Sequence, residues 1–182
     1  MLTTQTATLV AAGIAAIAAV LKLLVDALSA RGEAARAAHR TVLQPYLAPL
    51  GRGIHEVTAG VVLVHRRIKE GQAPGHALDN AERAAQTLKE HRLEVKYSLG
   101  GTDEALRVLT RAPNWVATYK GDPTGDALVE RMQALSKRLD SIIARSYRRG
   151  RPPNWAERKQ LSRIARQTRA TWERRFGRET DA

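Results

Sequence analysis

The stretch "ATLVAAGIAAIAAVLKLLVDAL", from Ala7 to Leu28, decides how the chain is organised. No residue from Met1 to Leu21 is charged. About twenty apolar residues are enough for a helix to cross the hydrocarbon core of a bilayer, and the Leu, Ile and Val residues of this run favour insertion. The stretch therefore predicts a single transmembrane anchor over residues 1–30.

Two charged residues of this run, Lys22 and Asp26, oppose insertion, but they lie in its last two turns and four residues apart. There they can pair and reach the interface, which lowers their cost below the roughly 3 kcal/mol of a charge at the midplane. They are the predicted interface residues of the anchor. Small residues four apart, such as Ala12 and Ala16, permit close helix approach in lipid. Homo-oligomerisation through the anchor is therefore a further expectation.

Two other interpretations of the run stay open. An Ala-rich helix of this length also suits the core of a soluble bundle. A cleaved signal peptide would have basic residues before the apolar run, and this chain has none, although "ALSA" at Ala27–Ala30 resembles a cleavage site.

The orientation of the anchor follows from its flanks. No basic residue precedes the run, whereas Arg31, Arg36 and Arg40 follow it closely. The positive-inside rule then places the N-terminus outside and the bulk of the chain in the cytoplasm. Because Arg exceeds Lys and Ala is abundant, as in GC-rich bacterial genomes, the expected location is a bacterial inner membrane.

The rest of the chain predicts an all-α fold. Aromatic residues make up only 4% of the sequence, so burial must come from aliphatic residues, which favour helices here. Apolar residues recur at steps of three and four in several segments, whereas "QPYLAPLGRG" at 44–53 predicts a turn. We expect a cytoplasmic helical bundle over residues 31–150 and a basic amphipathic helix in residues 151–182. The predicted helices cover about 54–70, 76–97, 124–147 and 154–176, with a short piece at 103–111.

The string Arg-x-Pro-Asn-Trp occurs twice, beginning at Arg111 and at Arg151. Asn is a preferred N-cap residue, and a Pro before it stops the preceding helix. Both copies therefore predict a helix start with Trp at the first helical position. The flanking sequences do not align, so the string does not indicate a domain repeat.

Signatures of catalysis and of metal binding are missing from the sequence. The chain has no Cys, which excludes disulfides and thiolate chemistry. Its five histidines show no i,i+3 or i,i+4 pairing, and no Gly-rich turn carries the Lys-Ser/Thr of a P-loop. We expect a non-enzymatic protein without a metal or cofactor. The histidines are His39, His55, His65, His76 and His91.

Positive charge is concentrated in the C-terminal third. The net charge is +12, and residues 131–182 hold 15 Lys and Arg against 5 Asp and Glu. On a helical wheel the last helix has an apolar face formed by Leu161, Ile164, Ala165, Thr168, Trp172 and Phe176, and cations cover much of the rest. The predicted contact residues are Arg158, Lys159, Arg163, Arg166, Arg169, Trp172, Arg174 and Phe176.

This pattern suits an anionic membrane surface, with the aromatic residues in the interface. It equally suits a helix that docks its apolar face on the bundle and leaves its arginines to nucleic acid or another polyanion, or simply to solvent. With an anchor in the same chain, lipid is the favoured ligand. The sequence predicts a membrane-anchored accessory, scaffold or membrane-acting effector that contacts anionic lipid and a protein partner. The alternative is a soluble or peripheral protein that binds nucleic acid or another polyanion.

Overall fold

The structure, a computed structural model, describes the backbone of residues 4–119 and 123–176 and the side chains of residues 19–119 and 124–174. The described residues form five α-helices and no strand, as the sequence predicts. The helices are α1 (Thr4–Lys69), α2 (Gly75–Val95), α3 (Asp103–Ala117), α4 (Pro123–Arg149) and α5 (Trp155–Phe176).

The chain divides into two compact units, Met1–Ala38 and His39–Ala182. The first unit is helical from Thr4 onward, and no described side chain in it is buried. The second unit contains the remainder of α1 together with α2 to α5, and it holds the hydrophobic core.

The predicted turn at 44–53 is wrong, because α1 continues through Pro45 and Pro49. A proline inside a helix removes one backbone hydrogen bond and costs about 3 kcal/mol. The apolar stripe of α1 continues across both prolines, since Leu43 and Leu50 are fully buried in the same core as Ile54. Tertiary burial therefore outweighs the local cost of the prolines.

The core of the second unit consists mainly of aliphatic stripes at helical spacing. The apolar residues of α4 recur at steps of four and three, from Leu128 through Met132, Leu135 and Leu139 to Ile142, and we call them the α4 stripe. Leu128, Leu135 and Leu139 are fully inaccessible to solvent, as this helical spacing predicts. "GVVLVH", which also resembles a short strand, is helical and contributes Val61 and Val64 to the core. Core residues of the other helices include Ala81 and Leu88 of α2, Leu106 and Leu109 of α3, and Leu161 and Ala165 of α5.

The helix start predicted at Asn114 is wrong. Pro113 and Asn114 lie inside α3, which runs from Asp103 to Ala117 and is longer than the predicted piece. The buried face of α3 continues from Leu109 through Val116, so packing carries the helix past the proline. The first copy of the repeated string is therefore not a cap.

Candidate functional site

The corner between α4 and α5 is fixed by backbone capping. Gly150 has a φ of 61°, in the left-handed region that glycine adopts without strain. Its N–H donates to the carbonyl of Tyr147 (3.0 Å), and the N–H of Arg151 donates to the carbonyl of Ser146 (3.2 Å). This pair of bonds is a Schellman motif, which ends α4 at a defined residue.

Side chains from α1 hold the same corner. The Arg40 guanidinium donates through Nη2 to the carbonyl of Arg148 (2.8 Å) and through Nε to that of Tyr147 (3.3 Å). These carbonyls belong to the last turn of α4, where a cation is also favoured by the helix dipole. The Ser146 hydroxyl donates to the carbonyl of Arg151 (2.6 Å), so it can only accept a hydrogen bond from His39 Nε2, 3.3 Å away.

The helix start predicted at Asn154 is confirmed as a reciprocal capping box. The Glu157 N–H donates to Asn154 Oδ1 (2.8 Å), and the Asn154 N–H donates to Glu157 Oε2 (3.0 Å). The other oxygen of Glu157 pairs with two arginines of α4, Arg149 at 3.2 Å and Arg145 at 3.5 Å. One buried carboxylate thus starts α5 and ties it to α4.

The predicted apolar face of α5 packs against the bundle. Leu161, Ala165 and Thr168 are fully buried. The ring of Trp172 stacks on that of Trp115 in α3, with centroids 5.0 Å apart and planes 17° apart. The Phe176 side chain lies outside the described residues. Trp172 is therefore engaged inside the second unit rather than presented to a ligand.

The opposite face of α5 is positively charged, and we call it the basic face. At 100° per residue its six cations fall within an arc of about 160° that excludes every buried position of the helix. Among the described residues, Glu173 is the only carboxylate on that arc, and no ion pair joins any of the six to an acid. All are exposed except Arg169, which is partly buried. The basic face comprises Arg158, Lys159, Arg163, Arg166, Arg169 and Arg174.

Sequence reasoning missed one residue of this surface, Trp155. The side chain is 67% exposed, and Lys159 Nζ lies 4.7 Å from the centroid of its ring. A residue at the first position of a helix has no preceding turn to pack against, and the wheel places Trp155 among the cations. In the sequence, the place of Trp155 at the helix start and among the cations on the wheel therefore indicates an exposed side chain. The exposed aromatic ring of the basic face is thus Trp155, not Trp172.

In the first unit, a run of aliphatic side chains is exposed to solvent. Lys22 and Asp26 are exposed as well, and the described residues show no ion pair between them. The side chains of Ala12 and Ala16 lie outside the described part. The exposed aliphatic residues are Val20, Leu21, Leu23, Leu24, Val25 and Leu28, at 55–68% exposure.

One helical stretch, Ala19–Lys69, is long and apolar enough to cross a membrane by length and composition. One-third of its most apolar window is buried within the protein, which is also what a core helix would show. Every buried residue of the stretch lies at Leu43 or beyond, in the second unit. Because no residue of 19–42 is buried, that window does not include Val20–Leu28, whose apolar side chains are exposed among the described residues.

Another polar cluster joins the buried side chain of His65 to Asp126 and Lys69. His65 Nε2 lies 2.7 Å from Asp126 Oδ1, and Lys69 Nζ lies 2.9 Å from Asp126 Oδ2. Hydrogen bonds from His65 and Lys69 lower the pKa of Asp126. The other ring nitrogen of His65, Nδ1, is buried and has no hydrogen-bond partner among the described residues. We interpret the cluster as a structural link that joins α1 to α4. Within the described ranges, no three His, Asp or Glu side chains are placed to hold a metal ion.

Comparison with known proteins adds no constraint. No protein-family model matches the chain, and neither a curated protein nor a solved structure is significantly similar to it.

Proposed function

We propose that this protein is a single-pass membrane protein whose helical domain works by contact and binds anionic lipid headgroups through the basic face. The N-terminus lies outside, and the bulk of the chain lies in the cytoplasm, at the inner membrane of a bacterial cell. The protein acts as an accessory, scaffold or membrane-acting effector.

The observation that carries the proposal is the exposed run Val20–Leu28. Fully burying a Val or Leu side chain contributes about 1.5–3 kcal/mol, so six largely exposed ones forgo roughly 5–10 kcal/mol. A bilayer recovers this free energy, and the uncharged residues before Val20 extend the apolar length toward that of a span.

The basic face supports the choice of ligand. Each Lys or Arg close to an anionic membrane surface contributes about 1 kcal/mol, and tethering by an anchor raises the effective concentration of headgroups. Trp155 adds an exposed aromatic ring of the kind enriched at membrane interfaces. Because the apolar face of α5 is occupied by the bundle, this contact is electrostatic and interfacial, without insertion of the helix.

Membrane extraction tests the anchor. The full chain should stay in the membrane fraction after carbonate and high-salt washing, and the double substitution Leu21→Arg with Leu24→Arg should release it. Leu63→Arg is the matched control, because Leu63 is also an exposed leucine of α1 but lies in the second unit. Recovery of the unaltered chain in the soluble fraction would contradict the transmembrane anchor.

Tryptophan emission tests the lipid contact in a chain that lacks residues 1–28, and the same chain with Trp155→Phe separates the emission of Trp155 from that of Trp115 and Trp172. Vesicles containing phosphatidylglycerol should shift the emission to the blue, and vesicles of phosphatidylcholine should not. Replacing Lys159, Arg163 and Arg166 by Gln should weaken this binding at least tenfold. A control triple substitution removes three exposed cations elsewhere: Arg52→Gln, Arg66→Gln and Lys96→Gln.

The stack of Trp172 on Trp115 favours a second candidate function, binding of nucleic acid or another polyanion in solution. With its apolar face packed inward, α5 offers mostly charge outward, which suits phosphate backbones as well as lipid headgroups. If duplex DNA binds at physiological salt and anionic vesicles leave Trp155 emission unchanged, this second function replaces lipid binding.

A further inference from the structure

A second charged surface lies between α2 and α3, and none of its described lining residues belongs to α5. It is an open groove of about 870 Å³, within the size range of ligand sites. From Asp79 to Arg92 the groove follows α2 for 13 residues, or roughly 20 Å at 1.5 Å per residue.

Cations line both walls of the groove. Arg83, Lys89 and Arg92 come from α2, and Arg107 and Arg111 come from α3. Asp79 and Glu82 are the only carboxylates among the described lining residues, and both lie towards the start of α2. The carboxylates are thus confined to one end, where Arg83 accompanies them, whereas the later part of α2 lines the groove with Lys89 and Arg92 and no acid.

Internal pairing leaves much of this charge uncompensated. Asp103 is shared by two arginines, at 2.8 Å from Arg107 Nη2 and 3.5 Å from Arg92 Nε. Arg92 is only 13% exposed, and its Nε has no hydrogen-bond partner in the part of the chain that the structure describes. Lys89 and Arg111 are exposed and pair with no described acid. These two cations, one on each wall, are available to an external anion.

The polar lining points to a peptide rather than to a nucleotide or a phosphate polymer. The described lining includes no aromatic ring on which a base could stack. Asn114 on α3 offers an amide group, which can both donate to and accept from a peptide backbone. Gln86 on α2 offers its amide oxygen as an acceptor, while its nitrogen donates to Glu90 (3.3 Å). Asp79 and Glu82 would repel a ligand that is negative along its whole length. A length of about 20 Å corresponds to about six extended residues.

We propose that this groove binds an extended acidic segment of a partner protein, with its carboxylates beside Lys89, Arg107 and Arg111 and its neutral or basic end beside Asp79 and Glu82. This gives the first copy of the repeated string a role, since Arg111 and Asn114 line the groove while Trp115 is buried behind them. The site is independent of the proposed lipid contact, which uses α5.

The test measures fluorescence anisotropy of labelled peptides with the full chain in neutral detergent micelles at 150 mM salt, a condition chosen for the assay. The probe is an extended hexapeptide with four Glu followed by Ser and Lys, and its counterpart has Gln in place of each Glu. We expect the Gln peptide to bind at least tenfold more weakly. Arg111→Ala and Lys89→Ala should each weaken the Glu peptide about tenfold, because each removes a charge-assisted contact. Arg52→Ala, which removes an exposed cation of α1, should leave the affinity unchanged.

Three results would overturn the proposal. They are equal affinity for the Glu and Gln peptides, equal weakening by Arg52→Ala and Arg111→Ala, and displacement of the Glu peptide by tripolyphosphate at lower concentration than by unlabelled peptide. Because Lys89 and Arg111 are exposed, both variants should retain the thermal unfolding midpoint of the unaltered chain, which circular dichroism checks. Neither variant should change vesicle binding, so failure of this site is distinguishable from failure of the lipid contact.

Discussion

Substitution of Glu157 probes how the corner between α4 and α5 is held. Its carboxylate closes the capping box with Asn154 and pairs with Arg145 and Arg149. Glu157→Ala removes all three interactions at once. It leaves the Asn154 N–H without its acceptor and two arginines of α4 without a counter-charge.

The magnitude follows from these contacts. Loss of a helix N-cap interaction costs about 1 kcal/mol. Breaking a fully buried ion pair costs about 3–5 kcal/mol, but the side chains of Arg145 and Arg149 are 28% and 52% exposed, so solvent compensates for most of that loss. We therefore expect Glu157→Ala to lower the free energy of unfolding by about 2–3 kcal/mol. Glu157→Gln keeps a hydrogen-bond acceptor and should cost about 1 kcal/mol.

Urea unfolding of a chain lacking residues 1–28, followed by circular dichroism at 222 nm, measures these differences. Two asparagines of the repeated string serve as matched variants. Asn154→Ala should cost about 1 kcal/mol, whereas Asn114→Ala, inside α3 and exposed, should change stability by less than about 0.5 kcal/mol. If Glu157→Ala unfolds at the same urea concentration as the unaltered chain, the corner is not held by this carboxylate.

Three further perturbations test the packing of the second unit. Leu135→Ala should cost about 2–4 kcal/mol, because the side chain is fully buried in the α4 stripe. Gly60→Ala should destabilise by about 1–3 kcal/mol, since its Cβ would lie 2.7 Å from that of Ala81, whereas Gly51→Ala, with its nearest neighbour 3.8 Å away, should stabilise by about 0.5–1 kcal/mol. Burial lowers the pKa of His39 below 6.5, so its contribution to stability should be complete above pH 6.5 and decline as the pH falls from there towards the lowered pKa.

Each of these expectations has a contrary outcome in the same unfolding assay. An unchanged midpoint for Leu135→Ala would mean that the stripe is an exposed docking face. Equal effects of the two glycine substitutions would contradict the close approach of α1 to α2 at Ala81. For His39, the unfolding free energy of His39→Gln should lose part of its dependence on pH below 6.5. A variant with the same pH profile as the unaltered chain would assign that dependence to other groups.

Helical spacing made much of the fold predictable. The α4 stripe recurs at steps of four and three, and Leu135 and Leu139 are buried as this spacing requires. The two faces of α5 were also evident from the sequence, because cations and aliphatic residues separate cleanly on the wheel. What α5 packs against was not evident, since the stack of Trp172 on Trp115 joins residues 57 positions apart.

The prolines of α1 and α3 show where local rules are overridden. Pro45, Pro49 and Pro113 all indicate a break on local grounds, yet each lies inside a helix. In each helix the buried face continues past the proline, so the free energy of core packing exceeds the cost of one lost backbone bond. Single-sequence reasoning assigns the local cost but cannot supply the packing term, which depends on neighbours distant in sequence.

The two copies of the repeated string show that the same residues take different structural roles in different surroundings. At Asn154 the preceding residues end α4 with a left-handed glycine and two prolines, so the asparagine starts a new helix and its Trp155 remains outside. At Asn114 the helix is already formed and its buried face continues, so the tryptophan that follows turns into the core and the asparagine faces the groove. The string alone fixes neither outcome. What decides is whether the chain before it has already buried an apolar face that the next turn can extend.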